Sequence, residues 1–384
     1  MSEIVILIVL SFIIFASPFI AKLIKIPIAP TEILLGMVAG SLGLFSHNEL
    51  FKLVADIGFY YLMFLAGTEV DLKIFIRTDR TILKKSLIFT VLMYLFAALI
   101  TYIFGLSPLF IVIFPLISIG ILSTLYKDYG KKEEWLNLAM LVGVIGEIVS
   151  IALLTVLGAY LKHGFGSSLF INLGVLVLFL ITVSLLFKGL EVLFWWYPGI
   201  KRVLMPQYDK DEKDIRLSMA LFCFVIAIMI IIDLKVVLGA FIAGTFISTF
   251  FDHKKDLPNK LSGFGFGFLI PIFFAYVGST IEIDSLFLPG VISQIAMIVG
   301  AIIVIRILSA VVFLKNLKFI PTILFALSLS MPLTLLIAVA TIGIETGYIT
   351  QKTYYSFVFA SLFEVVICLV FIKLIHKRKG LKNA

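Results

Sequence analysis

Leu141-Val142-Gly143-Val144-Ile145-Gly146-Glu147-Ile148-Val149-Ser150-Ile151-Ala152-Leu153-Leu154 sets one carboxylate near the middle of an apolar run that extends from Trp135 to Tyr160. The run is long enough to cross a bilayer, whose hydrocarbon core takes about 20 helical residues. An ionised group at that depth costs several kcal/mol unless it is paired, hydrated or neutral. Glu147 is therefore a candidate proton or cation site, and the rest of the chain can be read as what is built around it.

That rest is equally apolar. Hydrophobic residues make up 61% of 384, against about 45–50% in a soluble globular chain, and the mean hydropathy is +1.17. The reading is an all-α polytopic membrane protein embedded in a lipid bilayer. The net charge of +8 would suggest nucleic acid on a soluble protein; here the loops explain it, and no nucleic-acid partner is expected. Cys223 and Cys368 both lie inside apolar runs and read as small buried hydrophobes. The four histidines are scattered, and there is no metal-ligand spacing, P-loop or dinucleotide-binding fingerprint. No cofactor is expected, and no catalytic constellation points to an enzyme. The first apolar stretch follows Glu3 instead of a basic segment, so it reads as a retained span and not a cleaved signal.

Thirteen apolar segments have transmembrane length: 3–21, 30–46, 49–67, 84–105, 108–126, 134–161, 169–196, 213–232, 236–251, 260–279, 289–314, 320–343 and 352–376. The ninth is short, and the sixth and seventh are long. Alternate loops differ sharply in Lys and Arg: one side carries 25 of the 31, and the other carries Lys52, Lys162, Lys235 and Lys352. The positive-inside rule puts the first side in the cytoplasm, with the N-terminus outside and the C-terminus inside. A chain of this length with no targeting peptide reads as a prokaryotic plasma-membrane protein.

The chain also repeats itself. Ala39-Gly40-Ser41 resembles Ala243-Gly244-Thr245, the segment 65–71 resembles 276–284, and Glu147-Ile148-Val149 resembles Glu364-Val365-Val366. The first repeat is 1–161, a linking helix and connector occupy 162–212, and the second repeat with a short basic tail is 213–384. The two enter the membrane from opposite sides, which makes them inverted repeats, a common architecture of secondary transporters. The fifth spans of the two units should be interrupted helices. One carries Pro115, Ser118, Gly120, Ser123 and Thr124; the other carries Ser328, Ser330, Pro332 and Thr334. Proline removes a backbone donor, and hydroxyls with freed carbonyls can then hold a cation. Ser118, Ser123, Thr124 and Ser150 are the candidate ligands beside Glu147.

Arg306 stands about 13 Å above cytoplasmic Lys315, and Glu147 about 20 Å above Glu134, at 1.5 Å per residue. Those depths allow a Glu147–Arg306 pair, with Arg306 as the compensating charge. Removal from water favours the proton-bound carboxyl, and a neighbouring cation favours the ionised one. In balance, Glu147 holds either a proton or a cation, and mutually exclusive occupancy is an exchange mechanism. Glu364, the pseudo-symmetric mate of Glu147, is read as a second proton site, a cap for span twelve or a solvated face. Glu32 is expected to cap span two or bind a neighbouring helix.

Four segments carry a family resemblance: Ile26-Pro27 through Glu32 and Gly36 to Gly40, Phe64 to Glu69, Leu238 to Gly244, and Pro271 to Phe274. In this order they resemble the monovalent cation:proton antiporters, in the branch holding bacterial sodium/proton antiporters and potassium-efflux proteins. The resemblance implies thirteen helices, a dimerisation domain with a mobile core domain, crossed broken helices, elevator-like movement and a homodimer. It also implies a residue pair, Asp-Asp, Asn-Asp or Gln-Asp, in the sixth span. This chain has Gly146-Glu147 there, and Arg306 falls where the family has a basic residue facing the site. One central carboxylate in place of two makes one-for-one, electroneutral exchange the simplest expectation. Na+ or Li+ is favoured over K+. The alternatives are a potassium-efflux transporter needing a partner subunit, a non-transporting membrane sensor, and an anion or organic-acid carrier, which Glu147 would oppose.

Overall fold

The computed structural model describes residues 2–45, 49–69, 79–129, 133–163, 167–204, 211–251, 254 and 256–382. Its helices, in chain order, are α1 (Ser2–Ile24), α2 (Ile28–Ser41), α3 (Glu49–Glu69), α4 (Arg80–Ile103), α5 (Leu109–Ile113), α6 (Gly120–Tyr129), α7 (Glu134–His163), α8 (Ser167–Trp196) and α9 (Pro198–Leu204). They continue as α10 (Lys213–Ile231), α11 (Val236–Phe250), α12 (Leu257–Phe264), α13 (Ile270–Ser279), α14 (Val291–Ser309), α15 (Leu314–Leu317), α16 (Phe319–Leu329), α17 (Leu333–Glu345) and α18 (Gln351–Lys382). Among the described residues, ten stretches are helical, long and apolar enough to cross a membrane, and α2 and α11 are shorter apolar helices. The fifth span is interrupted, as its proline suggested, and forms two short helices, α5 and α6. The chain forms two compact units, one from residues 1–73 with 163–283, the other from 74–162 with 284–384.

In the first unit, α2 packs on α13 and α11 packs on α3. Glycine makes both contacts close. Gly36 and Gly40 of α2 lie on the backbone of Ala275 and Ser279, and Gly278 returns the contact against Ile33 and Met37. In the other pair Gly244 lies on Phe64 and Thr68, and Gly67 on Phe241 and Thr245. Small residues let two membrane helices approach backbone to backbone, where dispersion is the main attraction. A Cβ at Gly40 would sit 2.7 Å from the Ser279 carbonyl oxygen, so no other residue fits.

A single π-helical turn, Gly265–Leu269, joins α12 to α13. Tyr61 packs against Gly265 and donates to the Leu261 carbonyl at 3.0 Å. Glu32 binds a neighbouring helix, as expected: it is buried and accepts a hydrogen bond from Ser17 Oγ of α1 at 3.2 Å. Cys223 corrects its sequence reading. It is exposed on α10, because an apolar span shows one face to lipid and the run alone does not say which.

In the second unit, α18 packs against α14, α16 and α17. Residues 333–340 of α17 are buried without exception, which matches a segment apolar all round. Ser356 of α18 donates to Gln294 of α14 at 3.0 Å. At the other end of α18, His376 Nε2 lies 3.2 Å from Glu133 Oε1, and Glu133 Oε2 accepts from Trp135 Nε1 at 2.7 Å. Helix α7, which carries Glu147, is thereby tied at its start to the end of the last helix.

Candidate functional site

Two helices of the second unit break in mid-course. The first break runs from Phe114 to Ile119, between α5 and α6; the second runs from Ser330 to Pro332, between α16 and α17. Pro115 and Pro332 stand in them, where a proline cannot donate to the preceding turn. The breaks meet: Ser118 Oγ lies 2.8 Å from Thr334 Oγ1. Ser118 Oγ also donates to Glu147 Oε1 at 3.4 Å. Glu147 is completely buried, and Ser118 and Thr334 nearly so.

Helix α7 is shaped to receive the first break. Ser150, one turn after Glu147, accepts from the Ile117 backbone N–H at 3.0 Å and so satisfies a donor that the break leaves open. Gly143 and Gly146 give the extended segment room. A Cβ at Gly143 would lie 3.0 Å from Ile119 Cγ2, and one at Gly146 would run into Ile117 Cδ1. The Ile117 side chain fills the space where a polar neighbour of Glu147 would otherwise sit.

Arg306 of α14 is fully buried and does not pair with Glu147 as the sequence suggested. Its Nε donates to the Leu329 carbonyl at 2.8 Å, and its Nη1 to Phe114 at 2.9 Å and Ile302 at 3.1 Å. Its Nη2 donates to Leu116. Three of these four carbonyls belong to the ends of α5 and α16 and to the first break, where helix termination leaves acceptors without a partner. A guanidinium offers five donors in a fixed fork, and the carbonyls of two broken helices supply several acceptors together. The Glu364 carboxyl, also fully buried, is an acidic group whose charge bears on Arg306.

The chain can now be set beside known proteins. The family described as "Sodium/hydrogen exchanger, transmembrane" matches residues 7–377. The chain belongs to the sodium/hydrogen exchanger family. Among its relatives is the "Probable Na(+)/H(+) antiporter 3" of Methanocaldococcus jannaschii, 28% identical over 97% of this chain and 96% of that protein. The "Putative Na(+)/H(+) antiporter YjbQ" of Bacillus subtilis is 27% identical over 97% of this chain, which spans 63% of that protein. The solved structure of the sodium proton antiporter MjNhaP1 from Methanocaldococcus jannaschii shares the fold. Its TM-score is 0.66 at 17% identity, over 97% of both chains. The family is one of membrane transporters, not enzymes.

Against this family background the sequence-predicted residues divide. Glu147, Ser118, Ser150 and Thr334 come together, with Pro115 and Pro332 in the breaks and Gly120 opening α6. Ser123 and Thr124 lie in α6, but their side chains fall outside the described residues. Ser328 and Ser330 turn back onto their own helix, donating to Phe325 and Ala326 at 2.8 and 2.9 Å. Glu364 is fully buried, which excludes the solvated-face reading. Neither of its oxygens makes a hydrogen bond among the described residues, so it does not cap span twelve. Cys368, one turn on, does so instead: its Sγ donates to the Ser330 carbonyl at 3.4 Å. Sequence reasoning missed that role, and nothing in a cysteine within an apolar run would have signalled it.

Proposed function

We propose that this protein exchanges Na+ for protons, with Glu147 binding one or the other. The observation that carries the reading is the fully buried Glu147 carboxylate beside the Ser118–Thr334 link between two broken helices. The kinship with proteins named as Na(+)/H(+) antiporters supports it. Thr334 donates to Ser118 and Ser118 to Glu147, which steadies the ionised carboxyl; hydroxyl oxygens and break carbonyls complete an oxygen cage suited to a hard cation. A proton on Glu147 removes the charge that holds the cation, so the two loads exclude each other. One carboxylate serving both loads gives one-for-one, electroneutral exchange. Li+ is a second substrate, and K+ a weaker one.

The thirteen-span, inverted-repeat organisation belongs to the same proposal, with repeats at 1–161 and 213–384 joined by 162–212. The exchanged glycine contacts support it: a shift that carries Gly40 onto Gly244 and Gly278 onto Gly67 converts the α2–α13 contacts into the α11–α3 contacts. In this reading the unit of 1–73 and 163–283 forms the homodimer. The site-bearing unit makes the elevator-like movement in a plasma membrane, with the N-terminus outside and the C-terminus cytoplasmic.

The test is proton flux in proteoliposomes holding the purified full chain. Na+, Li+ and K+ are added in turn to wild type and to Glu147→Gln. Na+-dependent proton release that Glu147→Gln reduces to the level of empty vesicles is the expected result. Release in wild type with K+ alone would favour potassium efflux. No response to any cation in sealed vesicles would overturn exchange and leave the sensor reading.

A further inference from the structure

Three consecutive residues of the first break lie along one face of α7. Ile119 packs over Gly143, Ile117 packs over Gly146, and Ser118 between them reaches Glu147. One turn further along α7, Ser150 accepts the Ile117 backbone N–H at 3.0 Å. Residues 143, 146, 147 and 150 share a face, since helix positions three and four apart lie above one another. The carboxylate therefore stands between two isoleucines, neither of which has any exposure. The side chain that the segment offers it is the Ser118 hydroxyl.

This bracket resists widening. A Cβ at Gly146 would lie 3.1 Å from both Cβ and Cγ1 of Ile117, besides meeting the tip of that side chain. Rotation can move the tip, but the Ile117 Cβ is set by a backbone whose N–H is bound to Ser150. Around a Cβ at Gly143 would stand Ile119 and Leu122 at 3.0 Å and Leu329, at the end of α16, at 3.4 Å. On the oxygen side, Ser118 is held to Thr334 of α17 at 2.8 Å. Packing of this kind is as dense as an organic crystal, and inserting volume forces side chains and backbone to shift.

A cage held in this way discriminates by ionic size, because cavity size, ligand number and flexibility decide which of two hard cations fits. K+ is larger than Na+ and needs longer distances to its oxygens. An apolar wall also gives no hydrogen-bond partner to a water that would enter with the larger ion. We propose that Ile117 and Ile119 are specificity-determining residues. Seated on Gly146 and Gly143, their side chains hold the oxygen cage at Glu147 to the size of Na+ or Li+ and disfavour K+.

The inference rests on the exchange reading, so its test carries a control for that reading. Proton release driven by Na+ and by K+ is measured in proteoliposomes holding wild type, Ile117→Ala, Ile119→Ala and Glu147→Gln, each with its melting temperature. The readout is the ratio of the K+ and Na+ concentrations that give half-maximal release, which does not depend on how much folded protein the vesicles hold. In both alanine variants the ratio should fall by about tenfold, through better use of K+. Ile298 of α14, fully buried about two turns before Arg306, supplies the packing control: Ile298→Ala should lose stability at an unchanged ratio. If Ile117→Ala and Ile119→Ala do the same, the isoleucines only fill space and the proposal is overturned. Should the alanine variants not fold, Ile117→Val and Ile117→Thr decide, since both keep the branch at Cβ and only threonine adds a hydroxyl to the bracket. Ile117→Val should keep the wild-type ratio and Ile117→Thr should lower it; equal ratios in the two overturn the proposal. Absence of a Na+ response in wild type, or its survival in Glu147→Gln, would instead overturn the reading of the main site.

Discussion

Two kinds of helix contact hold this protein, and they differ in what they leave free. In the first unit, α2 meets α13 and α3 meets α11 through glycines laid on backbone, with apolar residues around them. In the second, the broken helices meet through a hydroxyl pair, one serine on a backbone N–H and one guanidinium on four carbonyls. A glycine contact has a single close-packed arrangement, and any displacement forfeits dispersion contacts steeply. A polar contact can trade one partner for another at little cost when alternatives lie within reach. The first kind suits a frame; the second suits a part that must bind, release and shift.

The largest expected effect tests the frame. Gly244→Val would drive side-chain atoms into the Phe64 carbonyl, and Gly40→Val into Ser279. Neither obstacle is a flexible side chain. Each substitution should destabilise the protein by about 3 kcal/mol or more, read as lost folded yield or a lower melting temperature in detergent. If both variants keep wild-type stability, the glycine contacts are not what holds that unit together.

The next effect tests the polar region. Ser150→Ala leaves the Ile117 N–H without its acceptor, a loss of about 1–3 kcal/mol for a buried donor. Stability and exchange should fall together, because the break loses its seat on α7. Ser118→Ala should separate the two readouts. It removes the contacts to Thr334 and Glu147 but no backbone partner. The Na+ concentration for half-maximal exchange should rise about tenfold, or about 1.4 kcal/mol, with little change in melting temperature. A large stability loss with unchanged Na+ dependence would make Ser118 a structural residue.

The sequence was legible where a residue type forces the backbone. Pro115 and Pro332 marked both breaks, because a proline removes a backbone donor, although Pro18 is carried within the continuous helix α1. Glu147 announced itself by the cost of burying a charge. Gly40 and Gly244 stood out as repeated motifs, although which helix each would press against needed the fold. Arg306 was found but given the wrong partner. Depth along a helix can be counted from sequence, while rotation about its axis cannot when, as in α14, apolar residues occupy every face. The carbonyls of Phe114, Leu116 and Leu329 were invisible for a plainer reason: every residue has one, and only a helix end leaves it free. At Gly146 a Cβ would meet the tip of the Ile117 side chain, a contact that only the fold could reveal.

The smallest expected effect bears on the division between the units. Glu32 is a buried carboxyl in the glycine-packed unit, with Ser17 as its hydrogen-bond donor. By burial alone it resembles Glu147, yet its helix α2 is continuous from Ile28 to Ser41. Glu32→Gln keeps the volume and an oxygen for Ser17, and adds an amide whose donors need acceptors. The cost should be about 1 kcal/mol or less, seen as a small drop in melting temperature. Exchange rate and Na+ dependence should match wild type at every pH. If Glu32→Gln changes the pH profile instead, a proton bound in the glycine-packed unit takes part in transport, and that unit is more than a frame.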